Sequence, residues 1–141
     1  MQTIHPSKLL KIAFVADAAA CGGTAALQLT GSQFLAQQLA LPGPLLAGTG
    51  LFLALYAVSL VFLATCRSLW KPLVWAIILG NVGWAAIALD LVLTGMIAPN
   101  GLGMAYLAVQ SLTVLGLAGL EYAGLKASRA GAQAGATHAL P

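Results

Sequence analysis

Four long apolar runs alternate with short polar breaks along the chain, over about 9–29, 45–65, 73–93 and 102–125. Each is close to the roughly 20 residues that a helix needs to cross a hydrocarbon layer. The breaks carry turn chemistry. Pro42, Gly43 and Pro44 open the second run, and Pro99-Asn100-Gly101 turns the chain into the fourth. Pro72 falls in the first turn of the third, where a helix does not use the missing N–H. Between the first two runs, residues 32–40 are amphipathic, with Ser32 in a capping position and Phe34, Leu35 and Leu39 available to a membrane surface. That stretch reads equally as a separate interfacial helix or as a continuation of span one. The last residues, from Ala130 to Pro141, lack apolar periodicity and read as a flexible tail. No internal repeat is evident.

This pattern predicts an all-α integral membrane protein, a four-transmembrane-helix bundle. It has a short N-terminus (1–8), a membrane domain (9–126) and a tail (127–141). Composition agrees: 60% of residues are hydrophobic and 6% charged, against about 25% charged in soluble domains. The net charge of +3 is no nucleic-acid signal, because the basic residues do not form one patch. Lys8 and Lys11 precede span one, Arg67 and Lys71 separate spans two and three, and Lys126 and Arg129 follow span four. All lie on one side, which the positive-inside rule makes cytoplasmic. The expectation is an N-in/C-in, multi-pass protein of the cell inner membrane. Trp70, Trp75 and Tyr122 sit near the same interface, where amphipathic rings belong. The opening run superficially resembles a secretory signal ending at Cys21. Asp17 interrupts it, so it is read as a retained span.

Polar residues within the runs are the candidate chemistry. Helical spacing puts Asp17, Cys21, Thr24 and Gln28 on one face of span one. Gln110, Thr113 and Glu121 share a face of span four, with Tyr106 close by, and Thr49, Tyr56 and Ser59 make a weaker stripe in span two. Asn81 and Trp84 share a face of span three, with Asp90 opposite. At 1.5 Å per residue, Asp17 lies roughly 9–13 Å from the level of Lys8 and Lys11, Asn81 roughly 15 Å from Lys71, and Glu121 roughly 8 Å from Lys126. These three belong to the cytoplasmic half and are expected to converge, while Asp90 and Gln110 belong to the outer half.

A carboxylate at mid-span costs about 2.5–3.5 kcal/mol on the mild insertion scale, so such acids face inward and mark function by default. Each must meet a cation, for which Lys11 or Arg67 are the nearest candidates, or take up a proton. Span one is also rich in Ala and Gly, which suits the centre of a membrane bundle. Asn81 and Gln110 read equally well as interhelical glue, Cys21 and Trp84 as packing, and Asp90 as a solvated or capping group.

Other chemistry is absent from the pattern. His5 and His138 lie near the termini, and no His pair has metal-ligand spacing. No Ser-His-Asp set shares a depth, and no phosphate loop follows a strand. The two cysteines form no disulfide framework or zinc pattern. No enzyme activity, cofactor or nucleic-acid partner is expected. Ala16-Asp17 followed by Thr24, Leu27 and Gly31 resembles the first span of the small multidrug resistance exporters, which implies proton exchange at Asp17. The likeness covers about the first thirty residues; Asp replaces that family's Glu, and the later spans differ. Small four-span proteins of the DoxX type share the layout without a matching motif.

The expected function is an assembly or binding module. It would be a homo-oligomer or an accessory subunit of a membrane complex, in contact with membrane lipid and holding a lipid or quinone in a groove near Phe14, Trp84 and Tyr106. The alternative is a proton- or cation-coupled small-molecule transporter or channel using Asp17. The candidate ligand- or proton-binding residues are Asp17, Thr24, Tyr56, Asn81, Trp84, Tyr106, Gln110 and Glu121.

Overall fold

Ser7 starts the first helix: its Oγ accepts the Leu10 N–H at 3.1 Å, satisfying one of the donors that a helix start leaves free. In this computed structural model, which describes residues 3–137, that helix is α1 (Lys8–Leu39). α2 (Gly43–Thr65), α3 (Lys71–Leu93) and α4 (Gly101–Thr137) follow. All four are long and apolar enough to cross a membrane. The four predicted helices are therefore present, several of them longer than read.

The largest difference is in α1. Residues 32–40 are not a separate element; the helix bends at Gly31 (φ −121°, ψ 21°) and runs on to Leu39. Ala40 ends it in the left-handed region (φ 52°). α4 similarly continues to Thr137, into the stretch read as a tail, and residues 138–141 lie outside the described residues.

The chain also contains a short ladder that the all-α reading lacks. β1 (Thr3–Ile4) pairs antiparallel with β2 (Leu69–Trp70), Thr3 opposite Trp70 and Ile4 opposite Leu69. Two residues per strand leave no periodicity to detect. His5 Nδ1 donates to the Arg67 carbonyl at 3.0 Å beside it. Ser7 adds a third tie at this end, donating its backbone N–H to Ser128 Oγ and its hydroxyl to the Gly124 carbonyl, both at 2.8 Å. The N-terminus, the α2–α3 connection and the far part of α4 therefore meet at the Lys-bearing end. At the opposite end, Asn100 donates from Nδ2 to the Gln38 carbonyl (2.8 Å) and from its backbone to that of Leu39 (3.2 Å). Its Oδ1 caps Gly103 N–H at 2.9 Å.

α1 packs between α2 and α4, and α3 leans on α4. The central position expected for the small-residue helix is observed. Ala18, Cys21 and Ala25 are buried there with Leu53 and Ala57 of α2. Gly124 lets α4 cross α1: a Cβ there would sit 2.6 Å from Leu10 Cα. α2 and α3 meet differently, through large side chains. Phe52 stacks on Trp84 with ring centroids 5.7 Å apart. That standoff leaves space inside the bundle.

Candidate functional site

Each helix contributes one polar side chain to a buried cluster in the Lys-bearing half. Asp17 of α1 and Glu121 of α4 are both 0% exposed, and Asn81 of α3 is 4% exposed. Asn81 Nδ2 donates to Asp17 Oδ2 at 2.9 Å and to Glu121 Oε2 at 3.2 Å. Tyr56 of α2 donates its hydroxyl to Asp17 Oδ2 at 3.4 Å, and Cys21 Sγ donates to Oδ1 at 3.3 Å. The predicted convergence of Asp17, Asn81 and Glu121 is therefore seen, with Tyr56 added.

The electrostatics of this cluster are unusual. Among the described residues, none of the bonds to either carboxyl comes from Lys or Arg. The cations proposed as partners point elsewhere. Lys11 joins Lys8, Ile12 and Ala64 along an outer groove, and Arg67 is exposed. The two carboxyls converge on the one Asn81 amide nitrogen. Written as two carboxylates they repel, and among the described residues Glu121 Oε1 has no donor.

A second polar cluster lies in the opposite half. Gln28 Nε2 donates to Tyr106 Oη at 2.8 Å, and Gln110 Nε2 donates to the same oxygen at 3.0 Å. Thr49 Oγ closes the string on Gln28 Oε1 at 2.9 Å. Gln28 is buried, whereas Tyr106, Gln110 and Thr49 are half-buried.

Cavities adjoin this string. One of 130 Å³ is walled by Gln28, Leu46, Thr49, Trp84, Tyr106 and Gln110, among others. Another of 170 Å³ is lined by Cys21, Thr24, Leu53, Trp84, Tyr106 and Gln110. A third, of 80 Å³, lies between Cys21, Phe52, Tyr56, Asn81 and Trp84. Trp84 borders all three, so it partitions the space between the two polar clusters. The third touches Asn81 and Tyr56 but is not lined by Asp17 or Glu121.

All eight predicted site residues therefore fall into two connected places. Asp17, Tyr56, Asn81 and Glu121 form the acid cluster. Thr24, Trp84, Tyr106 and Gln110 line the cavities. Phe14 does not belong to a groove; it is 0% exposed in the core. Asp90 is exposed, and its carbonyl, not its carboxyl, accepts from Thr94. Gln28 and Thr49 were missed as site residues. The signal was present for Gln28, which shares a face with Asp17 eleven residues earlier; nothing in the sequence marked Thr49 as its partner.

Among the described residues, no cluster of His, Cys, Asp or Glu could hold a metal ion. Comparison with protein-family models, curated proteins and solved structures finds no match to this chain.

Proposed function

We propose that this is a multi-pass membrane protein, N-in/C-in, that acts as a binding module for a small neutral amphiphile. The observation that carries the reading is the pair of apolar cavities, 130 and 170 Å³, that share the walls Trp84, Tyr106 and Gln110. Binding sites of this kind are apolar spaces with a few convergent polar groups. No charged side chain lines either one. The wall residues Ile87 and Val109 are 60% and 64% exposed on the outside of the bundle. In a bilayer they face hydrocarbon, which gives a tail somewhere to go. A module of this kind serves as an accessory membrane subunit or homo-oligomer and carries out no chemistry itself. The one-sided distribution of Lys and Arg supports the N-in/C-in orientation, and with it placement in the inner membrane.

A second reading, proton-coupled transport through Asp17, is favoured by the carboxyl pair held on one Asn81 amide without a cation. Its weakness is access, since both acids are sealed.

One preparation tests both. In full-length protein with Trp70→Phe and Trp75→Phe, Trp84 is the only tryptophan, and bromobenzene quenches its emission on contact. Saturable quenching is expected, and Ala88→Phe combined with Ala20→Phe, which fill the 130 and 170 Å³ cavities, should abolish saturation. Identical, unsaturable quenching in both proteins means nothing is bound. In proteoliposomes, Asp17→Asn should leave this quenching intact under the binding reading; loss of a pH-driven flux in that variant would establish the transport reading instead.

A further inference from the structure

We infer that the cavity beside Tyr106 and Gln110 selects a single ring carrying a carbonyl oxygen, of the quinone or aryl-ketone class, held by a hydrogen bond from the Tyr106–Gln110 pair. The inference rests on the binding reading above and names the chemistry of its ligand.

Size sets the first limit. A dry apolar cavity of about 150 Å³ accommodates one benzene. The two cavities, 130 and 170 Å³, bracket that value. One ring fits in either.

Hydrogen-bond accounting sets the second. Tyr106 Oη accepts from both Gln28 and Gln110, so its own proton is uncommitted. Gln110 Oε1 has no partner among the described residues. Turning the Gln110 amide over lets its oxygen accept the tyrosine proton, and then its N–H groups are free instead. Either way round, a donor is left facing the cavity. Thr24, on the wall of the 170 Å³ cavity, likewise makes no hydrogen bond to a described residue. A donor without a partner in an apolar space is met by a ligand that brings an acceptor. Leaving such donors unpaired costs free energy that a hydrocarbon ring cannot recover.

Charge sets the third. The walls hold no Lys, Arg, Asp or Glu, so a carboxylate or an ammonium ligand would be desolvated without a counter-charge. A neutral carbonyl satisfies all three limits, and Trp84 supplies a flat surface for the ring.

The experiment is competition against bromobenzene in the single-tryptophan protein, with bound bromobenzene counted by equilibrium dialysis because a quinone itself quenches tryptophan. A short-tailed benzoquinone should displace it at about a tenfold lower concentration than p-xylene, as one added hydrogen bond implies. Tyr106→Phe with Gln110→Leu should erase that advantage, so that the quinone and p-xylene compete equally, while circular dichroism and gel filtration show the variant folded. If p-xylene competes as well as the quinone, or if the double variant keeps the preference, the ligand class is wrong while the binding reading stands. If bromobenzene itself never saturates, the binding reading has failed first.

Discussion

Asn81→Leu separates two accounts of the acid cluster by magnitude. The side chain makes two hydrogen bonds, at 2.9 Å to Asp17 and 3.2 Å to Glu121, and both acceptors are fully buried. Interhelical hydrogen bonds between neutral groups in membrane proteins average about 0.6 kcal/mol. If Asn81 were only such glue, removing both bonds would cost about 1 kcal/mol. Hydrogen bonds to a charged group are worth about 1.5–3 kcal/mol each. If the pair instead carries one net negative charge, one bond is charge-assisted and one is ordinary, and the loss of Asn81 costs about 2–4 kcal/mol. The measurement is reversible unfolding in mixed detergent micelles, followed by tryptophan emission. Repeating it in an Asp17→Asn, Glu121→Gln background separates the charge from the contact. Those substitutions keep polar side chains and remove both acids, so no charge is left on the pair. The Asn81→Leu penalty should change by more than about 1 kcal/mol between the two backgrounds, since residues of one network do not add. A penalty near 1 kcal/mol that is the same in both backgrounds would refute a charged pair.

Two further outcomes follow from packing and burial. Gly124→Ala should destabilise by about 1–3 kcal/mol in the same unfolding assay, because its Cβ would fall 2.6–2.9 Å from the Leu10 backbone and Cβ; Gly116→Ala, with nothing within 4 Å, should be neutral or stabilising by up to about 1 kcal/mol. Cys66 is half-buried and Cys21 is 5% exposed. A membrane-impermeant maleimide should therefore label Cys66 in inverted vesicles, not in intact spheroplasts, and Cys21 in neither. Labelling of Cys66 from outside reverses the orientation.

Much of the helical architecture was legible in the residues taken one run at a time. The apolar lengths mark the helices, Pro42, Pro72 and Pro99 mark their breaks, and the Lys and Arg positions mark one end of the bundle. These are local properties: hydrophobic length and backbone chemistry act within a few residues of where they are written. The acid cluster was also foreseeable in part. A carboxyl in an apolar helix has to face inward, and depth along the helix can be counted from the basic residues.

Tertiary structure decided the rest, because it depends on which helices touch. Gly31 permits either a bend or an end, and the contacts of Leu35 and Leu39 with Leu46 and Ile97 favour the continued helix. That a single amide of Asn81 serves both acids, and that neither Lys11 nor Arg67 reaches them, depends on helix rotation. Rotation is set by close crossings such as Gly124 on Leu10 and by bulky spacers such as Phe52 on Trp84. The same spacers hold α2 away from α3 and create the cavities, so a ring-sized space beside Tyr106 is a consequence of packing that no periodicity in one helix can encode.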